Sequence, residues 1–180
     1  MVMLKQKVKY RLTIINTRNI EKWLENQTKN GLVPIEYKKS TFVFEEKKKK
    51  QRKYFVYVSP MLEKNDAFLN ELYFLKSLYG NGKTITVSSM LLAEIIEIDL
   101  SKIDDNFKWF LIARNTHYLK YFSKMLILNL IFTIGFSISS FFYPFMLCFV
   151  IWFAIGILCC ILSLNALKRQ RQDDRDTYGV

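Results

Sequence analysis

Few residues in this sequence have the types and spacing that catalysis or metal binding requires. His117 is the only histidine, and no catalytic partner accompanies it in the sequence. The segment 80–83, Gly-Asn-Gly-Lys, resembles a phosphate-binding loop but lacks the P-loop spacing of glycines, so we predict a turn there. The cysteines lie in the apolar C-terminal part without metal-type spacing: Cys148, Cys159 and Cys160. We therefore predict that the protein is not an enzyme and has no catalytic, cofactor or metal site.

The strongest charge feature is a basic segment in a chain of formal net charge +11. Its six basic residues fall within seven positions: Lys47, Lys48, Lys49, Lys50, Arg52 and Lys53. We predict a hairpin tip that contacts anionic lipid headgroups, at about 1 kcal/mol for each basic residue near the surface. The alternative is a solvated turn that keeps a strand edge from aggregating. We predict no nucleic-acid binding, because a domain tethered to a membrane would rarely meet DNA.

The C-terminal third of the chain has the composition of a membrane hairpin. Residues 125–167 contain no Lys, Arg, Asp, Glu or His. Two apolar stretches, 125–142 and 145–167, are each close to the roughly 20 residues that cross a bilayer core. Pro144 lacks a backbone N–H and disfavours helix at Tyr143, so the chain is expected to turn between them. The sequence therefore predicts two transmembrane helices.

Basic residues on both flanks of this hairpin predict its orientation. Lys120 and Lys124 precede the first stretch, and Lys168, Arg169 and Arg171 follow the second, whereas the connection carries no charge. The positive-inside rule then places both termini in the cytoplasm and the short turn outside. We expect an integral protein of the cell membrane with a cytoplasmic tail over 169–180.

Small residues at a four-residue spacing indicate where the two membrane helices approach each other. Gly135 and Ser139 form one such pair in the first stretch, and Gly156 and Cys160 form another in the second. Such pairs let helix backbones come close together. We predict that these four residues pack helix against helix, and the oligomeric state stays open.

The residues before the hairpin alternate between strand and helix patterns. The predicted elements are strand 8–15, helix 19–30, strands 33–37, 41–45 and 54–58, helix 67–79, and strands 84–87 and 90–98. The last of these strands is ambiguous with helix. Residues 109–113 are predicted as one more strand, and a helix is expected to run from Asn115 into the membrane.

This order repeats a strand-helix-strand-strand unit at a spacing of about 46 residues. We therefore predict an α+β fold: a ferredoxin-like domain over 1–114, with both helices on one face of an antiparallel sheet, followed by a juxtamembrane helix and hairpin over 115–168. Chance convergence of the two halves is the alternative.

Several short motifs in the first half resemble a known family. They are Trp23-Leu24 in the first helix, Asn30-Gly31-Leu32 at its end, Phe42-Val43-Phe44-Glu45 in a strand, and Tyr54-Phe55-Val56-Tyr57 in the next strand. The pattern resembles the bacterial family catalogued as domain of unknown function 2812, although Leu32 stands where many members have Trp. The resemblance covers residues 8–60. It implies a cytoplasmic α+β domain, followed by membrane helices, with no established activity.

These observations predict a class of function and not a specific reaction. We expect a membrane-anchored interaction or regulatory protein, whose cytoplasmic domain binds a protein partner or an anionic lipid surface. The alternatives are an accessory subunit of a membrane transport or resistance complex, and, from a third class, an enzyme acting on lipid.

Overall fold

The computed structural model describes residues 5–59, 67–88, 92–141 and 143–178. The chain divides into two compact units, Met1–Leu111 and Ile112–Val180. The first unit contains all the strands described, and the second contains most of two long apolar helices. The α+β class is therefore confirmed, and the boundary between the units lies three residues before the one predicted from the sequence.

The same order of elements occurs twice in the first unit. The first repeat consists of β1 (Lys5–Lys9), α1 (Thr17–Lys29), β2 (Leu32–Lys38) and β3 (Thr41–Glu46). The second consists of β4 (Lys53–Val58), α2 (Ala67–Tyr79), β5 (Gly80–Ser88) and β6 (Leu92–Ile98). Each repeat forms its own antiparallel three-stranded sheet, in the order β1-β3-β2 and β4-β6-β5, so its last strand is central.

The two sheets differ from the ferredoxin-like arrangement that the sequence predicted, in which one sheet carries both helices on one face. β4 is an edge strand of its own sheet. The backbone N–H of Val56 in β4 donates to Oε1 of Glu21 in α1, at 2.9 Å. A helix side chain thus binds the edge of β4, and β1 pairs with β3 instead.

α1 and α2 lie on opposite faces of the second sheet, so β4 is buried on both of its faces. One face belongs to a core formed with α1 and the first sheet: Leu12, Ile20, Leu24, Phe42, Phe44, Tyr54, Val56, Val58, Ala93 and Ile95. On the other face, the ring centroid of Tyr57 lies 4.9 Å from that of Phe68 in α2, and Phe55 lies 6.4 Å from Phe107. Burial on both faces accounts for the unbroken apolar run in β4.

Three local predictions were wrong. The predicted strand 8–15 is only β1 followed by a short 3-10 turn over Ile14–Asn16, where Asn16 Oδ1 accepts a hydrogen bond from the Thr13 N–H at 2.9 Å. The predicted turn at 80–83 lies inside β5, at a shift in strand register. The predicted strand 109–113 lies inside α3 (Asp105–Ser140), so that helix begins ten residues before Asn115.

The start of α3 follows from a side-chain cap. Oδ1 of Asp104 accepts hydrogen bonds from the Phe107 N–H at 3.0 Å and from the Tyr79 hydroxyl at 2.7 Å. Phe107, Phe110 and Leu111 are buried at helical spacing, which a strand would not produce. The cap thus outweighs the local β-propensity of this aromatic segment.

The second unit contains the remainder of α3 and α4 (Leu147–Tyr178), joined by a short 3-10 turn over Pro144–Met146. Both helices are long enough and apolar enough to cross a membrane. The predicted tail 169–180 is helical as far as Tyr178, because α4 continues beyond its apolar part. Asp66, Met90 and Phe142, at the ends of predicted elements, lie outside the described residues.

Candidate functional site

The basic segment does not form a hairpin tip, because it connects β3 of one sheet to β4 of the other. Lys47 is anchored: its N–H donates to the Gly31 carbonyl at 2.8 Å, and its Nζ lies 2.6 Å from Oε2 of Glu45. Gly31 has a φ of +89°, and a Cβ there would lie 2.9 Å from the Lys47 carbonyl oxygen, so glycine is required. Residues 48–50 are exposed lysines.

The last two basic residues of the segment are structural. The Arg52 guanidinium pairs with the buried carboxylate of Glu97, which also accepts a hydrogen bond from Asn81 Nδ2 at 3.2 Å. Burial, together with the negative charge of Glu97, raises the pKa of Tyr54, so this phenol stays neutral. Lys53 is half-buried in β4. Only residues 47–50 of the predicted lipid-contact set therefore present largely exposed side chains.

The small residues predicted to pack the apolar helices fall into two groups. A Cβ added at Gly156 would collide with Oδ1 of Asn129 on α3, and Cys160, one turn further on, is buried. Gly135 has no described atom within 4 Å of an added Cβ, and Ser139 is half-buried, with its hydroxyl donating to the Gly135 carbonyl at 3.0 Å. The two helices meet at Gly156 and not at Gly135.

A stack of phenylalanine rings joins the same two helices, and the sequence analysis missed it. Phe132 and Phe136 of α3 stack on Phe149 and Phe153 of α4, with ring centroids 5.0–5.5 Å apart. Each pair is spaced i, i+4, which places both rings on one helix face. This spacing is visible in the sequence and could have predicted an aromatic contact between the two helices.

The polar side chains of the apolar part of α3 are satisfied by their own helix. Hydroxyls of Thr133 and Ser137 donate to carbonyls four residues earlier at 2.7 Å, and Asn129 Nδ2 donates to the Met125 carbonyl at 2.7 Å. Such internal bonds are how polar groups are accommodated where water is absent. These three side chains therefore have hydrogen-bond partners within α3 itself.

A buried polar cluster joins the two helices beyond their apolar parts, within the second unit. Asn115 Nδ2 donates to Asp174 Oδ2 at 2.7 Å, and Gln170 Nε2 donates to Asn115 Oδ1 at 3.1 Å. The Arg114 guanidinium lies 4.0 Å from the same Asp174 oxygen. His117 is half-buried beside Tyr118 and lies outside these bonds. No local sequence pattern indicates this cluster, because its hydrogen-bonded partners are 55 and 59 residues apart.

A cavity of about 590 Å³ lies in the first unit between α2 and the start of α3. Its lining residues are Asn70, Glu71, Phe74, Leu78, Trp109 and Phe110. Phe74 and Trp109 are exposed although both are large and apolar. Within the described residues, no group of His, Cys, Asp or Glu is arranged to hold a metal ion.

Segment 80–83 has no phosphate-loop geometry, since a phosphate loop connects a strand to a helix and these residues begin β5. No family model, curated protein or solved structure matches the chain. Membership of the family named above stays a prediction.

Proposed function

We propose that this chain is a membrane-anchored interaction or regulatory protein, in which the apolar helices cross the membrane as a hairpin and the α+β unit meets its partner in the cytoplasm. The observation that carries the proposal is the surface of the two helices. Large apolar side chains point outward along both of them, among them Ile127, Ile131, Ile151, Trp152 and Leu158. A contiguous apolar surface of this size needs lipid around it.

The proposed orientation places both termini in the cytoplasm. Basic residues precede the apolar part of the first helix and follow that of the second, at the ends away from the turn, whereas the turn itself is uncharged. The buried polar cluster of residues 114, 115, 170 and 174 lies on that same side. A cluster of hydrogen-bonded charges is stable there because the headgroup region and cytoplasm are polar.

Cysteine labelling in intact cells tests this topology. The background is a variant without native cysteines, and single cysteines replace Lys49, Tyr143 and Arg175, which are all exposed. A membrane-impermeant maleimide should label Tyr143→Cys in intact cells, and the other two only after permeabilisation. Labelling of Lys49→Cys or Arg175→Cys from outside would reject the hairpin.

The exposed lysines of residues 48–50 support a further contact of the α+β unit with anionic lipid. At about 1 kcal/mol for each lysine near the surface, the contact would be weak alone and useful in a tethered domain. Residues 1–111 should bind vesicles containing anionic lipid and release them as salt rises. Changing 48–50 to Gln, and leaving Arg52 in its ion pair, should abolish binding without unfolding the unit. Binding that is unaffected by salt would contradict the lipid contact.

A further inference from the structure

The cavity between α2 and α3 has the size and composition of a small-molecule site. Its volume of about 590 Å³ falls within the range of roughly 300–1,000 Å³ that holds drug-sized ligands. Of the described residues that line it, four are apolar or aromatic, and Asn70 and Glu71 are polar. The cavity lies entirely within residues 70–110, so a ligand there is independent of the membrane topology proposed above.

Aromatic rings form one side of this cavity and are held in place by each other. The Phe110 centroid lies 6.2 Å from that of Phe74 and 5.2 Å from that of Trp109, the latter edge to face. Phe110 is buried, whereas Phe74 is 58% exposed and Trp109 is 53% exposed. A ligand with a flat apolar body would cover both exposed rings and gain from their removal from water.

Glu71 places a carboxylate oxygen without a described hydrogen-bond donor at the cavity. Its Oε2 atom is shielded from solvent and accepts no hydrogen bond from any described residue. Glu21 and Glu97, which are also buried, each bind a described arginine. A shielded carboxylate oxygen without a donor costs free energy, and a cationic donor would remove that cost.

The protein's own nearest lysine on this helix is already engaged. Lys76 pairs with Glu94, and its Nζ lies 5.4 Å from the ring centroid of Tyr73. The chain as a whole is basic, but charges further than about 8 Å are largely screened at physiological salt. Among the described residues that line the cavity, Glu71 is the one that carries a charge.

We propose that this cavity binds an amphipathic organic cation. The apolar body of the ligand lies against Phe74, Leu78 and Trp109, and its cationic nitrogen donates to the Glu71 carboxylate. The face of Trp109 adds attraction for a cation, because the negative side of an indole quadrupole favours positive charge. A small molecule is favoured over a membrane surface, because an anionic leaflet would be repelled by Glu71.

Two dyes that share a xanthene ring system test the charge preference. The full-length protein is placed in nanodiscs of neutral phosphatidylcholine, and binding of cationic rhodamine 6G and anionic fluorescein is followed by fluorescence polarisation, with empty nanodiscs subtracted. We expect saturable binding of rhodamine 6G and at least about tenfold weaker binding of fluorescein, a difference of about 1.4 kcal/mol.

Variants then locate the site. Glu71→Gln should weaken rhodamine 6G binding by at least about tenfold and Trp109→Ala by a similar factor. Glu25→Gln removes a half-buried carboxylate from α1, outside the cavity, and should leave the affinity unchanged.

Three results would overturn the proposal: no saturable binding of the cation, equal affinity for the two dyes, or full affinity in Glu71→Gln. The comparison of the two dyes uses the unaltered protein, so it decides the matter even where a variant folds poorly. The dye-binding result does not depend on the outcome of the cysteine-labelling experiment, so the ligand proposal and the proposed topology can each be rejected separately.

Discussion

The helices α1 and α2 have the same length and the same place in their repeats, but the residues exposed on their outer faces differ in polarity. α1 and α2 each have 13 residues and follow the first strand of their repeat. The exposed residues of α1 are all polar: Asn19, Lys22, Asn26 and Lys29. Those of α2 include three large apolar side chains: Tyr73, Phe74 and Leu78. The outer face of α1 is therefore that of an ordinary soluble helix, whereas α2 presents exposed apolar side chains beside a cavity.

A glutamate on each helix shows the same difference. Glu21 of α1 is fully buried and binds the Val56 N–H and Arg18, whose Nη1 lies 3.4 Å from Oε2. Glu71 of α2 is half-buried, and its shielded oxygen binds no described residue. Thus the same residue type stabilises the fold in the first repeat and is available to a ligand in the second.

The largest expected difference in stability is between a variant that lacks the Glu21 carboxylate and one that lacks the Glu71 carboxylate. Glu21→Ala should destabilise the α+β unit by about 3–5 kcal/mol, because it removes the buried carboxylate that binds both Arg18 and the Val56 N–H. Glu71→Ala should not destabilise the unit, because its shielded oxygen has no described hydrogen bond to lose. Urea unfolding of the full-length protein in detergent, followed by tryptophan fluorescence, measures both. Equal losses would mean that Glu71 is structural, and the contrast between the repeats would disappear.

An aromatic pair is expected to give the next largest effect. Trp23 of α1 is half-buried, with its ring centroid 4.6 Å from Tyr10 and 5.3 Å from Phe42. Trp23→Ala should cost about 2–4 kcal/mol, below the full cost for a completely buried aromatic residue. Phe74→Ala, on the exposed face of α2, should cost under about 1 kcal/mol.

Thermal unfolding of the two aromatic variants, followed by far-ultraviolet circular dichroism, provides the comparison. A Phe74→Ala variant that loses as much stability as Trp23→Ala would show that the aromatic face of α2 belongs to the core. The proposed cavity would then be a packing defect and not a binding surface.

The smallest expected effect is a dependence on pH from Glu25 of α1. Desolvation raises the pKa of this carboxyl against the opposing charges of Arg18 and Lys53. A raised pKa in the folded state means that ionisation of Glu25 opposes folding at neutral pH, and that this cost is absent below the ordinary glutamate pKa of about 4.3.

Glu25→Gln should therefore stabilise the protein slightly at pH 7, by a few tenths of a kcal/mol given its partial exposure. The gain should shrink as the pH falls toward 4. Urea midpoints at several pH values measure it, and a variant less stable than the parent at pH 7 would contradict the assigned sign.

Patterns within single segments carried most of the correct predictions. The helix over 67–79 and the strands over 33–37, 41–45 and 54–58 agree with α2, β2, β3 and β4 to within one residue at each end. The stacked phenylalanines of the apolar helices were within reach of the same reasoning, since each pair has helical spacing. The strand predicted over 109–113 was wrong because the residue that caps the helix, Asp104, lies before that segment, and the pattern of 109–113 alone does not include it.

The sequence by itself determined the twofold order of elements and the two uncharged apolar segments, because both depend on composition and periodicity over neighbouring residues. Only the tertiary structure decided how the strands divide into two sheets and which charges are buried. Arg52 and Glu97 are 45 residues apart, Glu21 and Val56 are 35 apart, and Asn115 and Asp174 are 59 apart. Such contacts exist only after the chain has folded, since neither partner carries a local pattern that identifies the other. For the same reason the cavity beside Glu71 appears only when α2 and α3 are brought together.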